Sequence, residues 1–552
     1  VPGGRPQTAV HCLKYQTMRM ARFSNQKDYL AAHWSWHISL LIACLIPSFV
    51  VGLLGLLRPY DAIPDQDLLW ASEALRLIRG VAPSYADHPG VFWTLVYRFN
   101  IEALQAFASS PVLDSMGSIT PADLAQVIKA ARIQNAFICG ICAYLLFPVS
   151  QLLGTHRLIA TSLALICSLS PATLIGVSEI RHETISAVFL LLTIAIFNKA
   201  LQQKRKATRR LLTISAIALF FCAAFSKNQS LLLTPLVWLA IAAIAWKQSD
   251  TRQSVQHLSR QFGAQGILVF AIASCLPWLI SAYPDIDLIN LPFWVVINSG
   301  LACILLIGWN NREDKRMIYK AFAGLGAAEI ILFRALSPQW WRQGVTGFPS
   351  WMFRYANAAE NENINIANHI QQGVDQYFGN LFTPQVAAQA AFFTLTITSL
   401  IVMAYFVVRR SVASMTLLAQ VCAWSGCTFI LLSCSQRIAS RYEIYIFIPI
   451  MISAGISLRT IKPVVSTGNM RTALSRTLPI CAAVLISTAA IRSGSNIPNL
   501  RRFVNQGQSR EVLCIGHHMD RTMRLTSAGQ CEVFPKGSFD KNIYDSWWGP
   551  RG

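Results

Sequence analysis

The chain is short of charge, and above all short of acid. Only 13% of its 552 residues are charged, about half the share carried by an ordinary soluble domain. Asp and Glu number 26, against 47 Lys and Arg. There is no P-loop, no dinucleotide fingerprint and no zinc-type Cys/His spacing, so the usual sequence signs of nucleotide, nicotinamide and structural-zinc binding are missing. The N-terminal stretch shows no secretory signal with a short apolar core and cleavage site. Because the chain opens on Val1, Met18 and Met20 are candidates for the true start.

What is plentiful is uninterrupted apolar sequence. Hydrophobic residues make up 53% of the chain, and its mean hydropathy is +0.42. They come in runs such as Leu40–Leu57 and Ser230–Trp246. A helix of about 20 apolar residues crosses the hydrocarbon core and satisfies its own backbone there. A buried helix of a soluble protein can imitate one such run, but not about thirteen of them.

The net charge of +21 would suit nucleic acid, but its placement argues against that partner. Six Lys or Arg fall in Asn198–Leu211, and further basic groups fall in Trp246–Gln261, Asn310–Lys320, Arg409–Arg410 and Arg459–Arg476. The connections between them are poorer in charge or mixed. Alternation of this kind marks the basic set as cytoplasmic.

The expected fold is therefore an all-α polytopic membrane protein with about thirteen transmembrane helices. The spans are expected near 37–57, 133–153, 157–177, 183–199, 210–226, 229–247, 264–283, 290–309, 317–335, 389–408, 413–434, 442–459 and 474–492. Residues 1–36 form a cytoplasmic arm, 37–492 the membrane domain, and 493–552 a small outer C-terminal tail. Two long outer connections remain, at about 58–132 and 336–389. In the first, Leu68–Ile78, Val91–Phe107 and Pro121–Ala131 have helical periodicity and lie along the interface, the third with Thr120 as N-cap. Most of the 14 cysteines fall in spans as small apolar packers. Cys514 and Cys531 lie in the tail and could pair if that compartment is oxidising.

Candidate chemistry gathers in the outer connections. Asp65 and Asp67 follow the first span. They read either as a solvated acidic turn with Asp67 as a cap, or as a pair that shares a proton, holds a cation or supplies a general base. His88 stands in a turn made by Pro89 and Gly90. Arg181, His182 and Glu183 precede the fourth span, Lys227 joins the fifth and sixth, and Arg441 and Tyr442 open a late one. Each cation alone is an ordinary interfacial anchor; together they put positive charge on the face that carries Asp65 and Asp67, as an anionic lipid phosphate requires. Glu329, inside an apolar run, implies an internal cavity or a partner, and Arg334 five residues on is poorly spaced for one.

This layout resembles the GT-C class of membrane glycosyltransferases, in the branch of the protein O-mannosyltransferases and the lipid A aminoarabinose transferases. The acidic pair Asp65 and Asp67, then Gly80, then His88–Pro89 match that branch's first outer loop, with Gly90 where a second proline is usual. Arg181–His182–Glu183 is similar to its Arg-Pro-Glu/Asp element. Ser226–Lys227–Asn228 with Pro235 is similar to its Thr-Lys-Gly element, and Arg441–Tyr442 with Pro449 to its late Arg-Tyr…Pro element. The resemblance implies an inverting transfer of sugar from a polyprenyl-phosphate donor to a hydroxyl of a lipid, glycan or protein acceptor. It implies a bacterial inner membrane, with the site facing the periplasm.

By the same resemblance, Asp65 or Asp67 is the base or orients the acceptor. His88, Lys227, Arg181 and Arg441 hold the donor phosphate, with Glu183, Tyr442 and Glu329 in support. Members differ in metal need, so a divalent ion at Asp65 and Asp67 is compatible with it. Trp340, Trp341, Trp351, Phe353 and Tyr355 either cover the site or lie at the interface as such residues commonly do. A transporter is the main alternative, yet no repeat relates the two halves. A glycan polymerase or ligase is another, in which a late loop would be the informative one.

Overall fold

The computed structural model describes residues 34–57, 67, 69–78, 90–107, 121–178, 180–227, 230 and 233–246. It further describes single helical positions at 301, 304, 305, 444, 445, 447–449, 451, 452, 455 and 487, and strands at 513–514, 521–525 and 531–535. Asp65, His88, Glu329, Arg441, Tyr442, the arm before residue 34, the second outer connection and most of the later expected spans lie outside the described residues.

Nine described helices follow one another: α1 (Trp34–Leu56), α2 (Leu69–Ile78), α3 (Val91–Phe107), α4 (Pro121–Leu153), α5 (Arg157–Ser168), α6 (Pro171–Ser178), α7 (His182–Gln202), α8 (Lys206–Ser226) and α9 (Thr234–Trp246). Four are long and apolar enough to cross a membrane: α1, α7, α8 and the stretch Ala125–Leu153 of α4. The 21 residues of α7 and of α8 rise about 31 Å at 1.5 Å per residue, the thickness of the hydrocarbon core.

The α1 helix shows what its outer face meets. Ile38, Ile42, Ile46, Val50, Leu53 and Leu57 are all exposed, at spacings of three and four, while Leu40, Cys44 and Val51 are buried. A stripe of that size on a helix 23 residues long suits lipid and not water. The inner face packs closely on α4. A Cβ on Gly140 would come within 2.6 Å of Leu45 Cδ2, and one on Gly52 within 2.9 Å of Ala136 Cβ. Small residues let two backbones approach in this way inside a bilayer. Phe49 and Phe137 then meet edge to face at 4.3 Å.

Two sequence expectations change. Pro121–Ala131 is no separate interfacial helix; it is the opening of the 33-residue α4, because nothing between Ala131 and Ile133 breaks a helix. The expected span 157–177 is instead two helices, α5 and α6, parted at Leu169 and Ser170. Pro171 lacks an amide hydrogen and crowds the preceding turn, and Ser170 Oγ restarts the helix by accepting the Thr173 N–H at 3.2 Å.

Two other elements, α2 and α3, match the expected extents of the first two helices of the first long connection. In α3, Trp93, Tyr97 and Ile101 are buried while Leu95, Phe99 and Phe107 are exposed, so one face packs on protein and the other is apolar and open. Asn100 and Gln134 exchange amide hydrogen bonds of 3.1 and 3.0 Å, which tie α3 to α4. The centre of the bundle is α7, buried over most of its length. The late helical position Gly455 lies against Leu153 and Thr155, at the far end of α4.

The described membrane portion is helical throughout, whereas the tail holds a small antiparallel sheet of β1 (Leu513–Cys514), β2 (Arg521–Leu525) and β3 (Cys531–Pro535) in the order β1-β2-β3. Cys514 is opposite Met523, and Cys531 is opposite Leu525. The two cysteines therefore occupy the two outer strands and are offset by two residues along β2, which puts them about 12 Å apart. That exceeds the ~7 Å Cα separation a disulfide tolerates, so this register does not bring the two cysteines to bridging distance.

Candidate functional site

The site begins with a guanidinium inside the protein. Arg132, in the first half of α4, directs Nε and Nη2 to Oδ2 of Asp67 at 3.0 and 2.6 Å. Its Nη1 donates to the Gly55 carbonyl at 3.1 Å. Gly55 is next to last in α1, so that carbonyl is one of those a helix end leaves unpaired. The other oxygen of Asp67 accepts the Ile180 N–H at 3.2 Å. One ion pair with no exposed surface on either side chain thus joins the end of α1, the approach to α2, α4 and the approach to α7.

A second pair lies beside it. Lys227 Nζ is 3.0 Å from Glu183 Oε1, with both side chains almost wholly buried. Lys227 directly follows α8, and Glu183 is in the first turn of α7, where the helix dipole favours an anion. Two aromatic contacts from the first outer connection complete the arrangement. The Trp70 and His182 rings meet edge to face at 4.1 Å, and Trp93 Nε1 donates to the Arg181 carbonyl at 3.2 Å.

Gly90 explains how α2 and α3 come so close. Its carbonyl starts α3 by accepting the Thr94 N–H and hydroxyl at 3.0 and 3.2 Å. Its φ is +47°, and a Cβ there would lie 2.1 Å from Cζ3 of Trp70. Proline, whose ring holds φ near −65°, has no place at this position. The departure from the resembled motif is therefore built into the packing.

Among the described residues, every buried Asp, Glu, Lys, Arg and His is Asp67, Glu73, Arg132, Arg181, His182, Glu183 or Lys227. All belong to the end of the bundle where α1 finishes and α7 begins: three carboxylates, three permanent cations and one imidazole. Tyr97 on α3 faces the same charges. Its hydroxyl is buried without a hydrogen-bond partner. Burial, with the Asp67 carboxylate adding to it and Arg132 opposing, pushes its pKa well above the usual value.

Of the residues singled out from the sequence, Asp67, Arg181, Glu183 and Lys227 come together here. Asp65, His88, Arg441, Tyr442 and Glu329 lie outside the described residues. Both oxygens of Asp67 are engaged, so it is held as a structural anchor in this conformation, and Lys227 is already paired. Arg132 occupies one oxygen of Asp67 and the Ile180 amide binds the other, and no group of three metal-binding side chains occurs among the described residues. Sequence reasoning passed over Arg132, Trp70 and Trp93. The available signal for Arg132 was an arginine followed by a long apolar run, the kind of intramembrane charge that asks for a partner.

No family model matches the chain, and no curated protein sequence matches it. Among solved structures it is similar to the archaeal oligosaccharyltransferase AglB from Archaeoglobus fulgidus, solved in complex with an inhibitory peptide and a dolichol-phosphate. The identity is 13% and the TM-score 0.42, over 84% of this chain and 56% of AglB. This chain thus spans little more than half the length of that protein, and the reading of the site stands on its own geometry.

Proposed function

We propose that the chain is an integral membrane glycosyltransferase of the GT-C class, moving a sugar from a polyprenyl-phosphate donor to an acceptor hydroxyl on the extracytoplasmic face. The observation that carries this reading is the confinement of the described buried charges to one end of an otherwise apolar bundle. Ionisable groups at such depth are costly and by default mark function. A transporter would place them near the bilayer midplane.

Chemically, a base removes the acceptor proton, and the acceptor oxygen attacks the anomeric carbon from the face opposite the phosphate. The bond from that carbon to the phosphate oxygen breaks, and the lipid phosphate leaves with the electron pair. Asp65 is assigned the base, since Asp67 is spoken for by Arg132 and Ile180. Arg181 and Lys227, with His88 and Arg441 from outside the described residues, offset charge building on the leaving phosphate. Glu183 steadies Lys227, and Tyr442 and Glu329 support the site. The acceptor is a lipid, a glycan or a protein.

The test is transfer of labelled sugar from polyprenyl-phosphate donors in membranes. Asp65→Asn should insert normally yet lose about 10²–10⁴-fold in rate, the range of a removed general base. Unimpaired transfer by Asp65→Asn would take that residue out of the mechanism. Failure of the wild-type chain with mannosyl, arabinosyl and aminoarabinosyl donors alike would count against the reading itself.

A further inference from the structure

The two ends of the bundle carry different kinds of charge. At the end described above, the charged side chains are buried and mixed in sign. In the turn from α7 to α8, at the opposite end, they are basic. Lys199, Lys204, Arg205 and Lys206 are exposed there, and Arg209 and Arg210 are half-buried. The sequence holds no Asp or Glu from Thr184 to Ser249, so α8 and the rest of α7 bring no carboxylate to this turn.

Helix stability does not account for these cations. Positive charge at a helix start opposes the dipole, and α8 has no acidic residue in its first turn. Lys206 and Arg210, four residues apart, repel across one turn. Membrane orientation asks for positive charge on this side, but that signal acts during insertion and does not fix where in the folded protein the charge sits.

Its place relative to lipid is given by α8 itself. Ala207, Leu211, Ile214, Ala218 and Cys222 are exposed at spacings of three and four, a lipid-facing row like that of α1. Arg210 flanks this row, four residues before Ile214. Lys206 precedes Leu211 by five residues, or about 7.5 Å along the axis, the depth of one headgroup layer. The starts of α1 and α5 lie at the same end. There Trp34 is 67% exposed, and the Arg157 guanidinium lies over the Trp36 ring at 4.2 Å. Tryptophan at a helix start marks the headgroup level.

We propose that the basic turn from α7 to α8 is a binding surface for anionic phospholipid headgroups of the leaflet that borders it. Lys204, Arg205 and Lys206 supply the attraction at headgroup depth, each worth about fivefold in affinity. The acyl chains lie along Leu211 and Ile214. This surface is separate from the proposed donor site, which is at the other end of the same helices, and does not depend on that reading.

The test is a titration of the full chain, purified in nonionic detergent, with acyl-labelled phosphatidylglycerol, read by fluorescence anisotropy. The triple variant Lys204→Gln/Arg205→Gln/Lys206→Gln should bind roughly 100-fold more weakly than wild type. Unlabelled phosphatidylglycerol should displace the label from wild type, phosphatidylcholine should be at least about tenfold less effective, and inorganic phosphate should not displace it.

A loss of less than about tenfold in the triple variant would overturn the proposal, because binding at the opposite end or on another basic connection survives those substitutions. Equal displacement by phosphatidylcholine would overturn it by showing apolar contact alone. Displacement by inorganic phosphate would overturn it in favour of a soluble-anion site. Should the triple variant fail to insert, Lys204→Gln and Lys206→Gln singly carry the same test at about fivefold each, and a loss under about twofold in both would overturn the proposal.

Discussion

Arg132 and Asp67 face each other at 2.6 Å with no surface on either side chain open to solvent, and that contact fixes what each can do. The guanidinium satisfies one carboxylate oxygen and a helix-end carbonyl, while the Ile180 amide satisfies the other oxygen. Removing one partner of such a pair strands a buried charge. Arg132→Met should therefore cost roughly 3–5 kcal/mol, read as a large fall in the thermal unfolding midpoint of the purified chain. The double variant Asp67→Leu/Arg132→Met should recover much of that loss, because replacing both partners removes the stranded charge.

Gly90 should tolerate almost nothing. In Gly90→Ala the new Cβ meets the Trp70 ring and the backbone is held at a positive φ, a combined cost of about 2–4 kcal/mol. Trimming the ring in Gly90→Ala/Trp70→Leu should return the overlap part and leave the conformational part. Circular dichroism melts of the two variants separate the contributions.

Tyr97 predicts an alkaline weakness. A tyrosine in the unfolded chain ionises near 10, whereas in the folded chain the hydroxyl keeps its proton to higher pH. Between those two points only the unfolded chain releases the proton, so folded stability falls as pH rises above about 10. Tyr97→Phe should remove this part of the fall. At neutral pH it should melt at the wild-type temperature or higher, since the hydroxyl it deletes is buried without a partner. Melting curves at pH 7 and across pH 9–11 check both halves.

The approach of α1 to α4 predicts a steric limit at Gly140. A side chain there would meet Leu45 through its Cδ2 and also its backbone Cα, at 2.6 and 3.0 Å, and backbone cannot step aside as a side-chain tip can. Gly140→Val should part the helices, lowering the melting midpoint and raising protease sensitivity in detergent. Ile141, one position along and exposed, should accept Val with little change.

Sequence reasoning reached the expected extents of α1, α3, α7 and α8 closely, because length and apolar content are local properties that any stretch carries with it. It also put Arg181, Lys227 and Arg441 on one face with Asp65 and Asp67, from their order and shared sidedness; of these, Asp67, Arg181 and Lys227 are among the described residues. It failed where continuity was the question: Pro121–Ala131 runs on into α4, and Pro171 divides what looked like one span. It left open whether the tail cysteines pair, since strand order is not written in their spacing.

The sequence by itself thus determined a membrane-spanning class, the extents of several early helices and the residues carrying charge to one end. The tertiary structure alone decided which of those charges are bound. Asp67 and Arg132 are 65 residues apart, and nothing in either neighbourhood names the other. A side chain's partner depends on which helices meet and at what height, and the meeting of α1, α4 and α7 gave Asp67 its partners, Arg132 and the Ile180 amide.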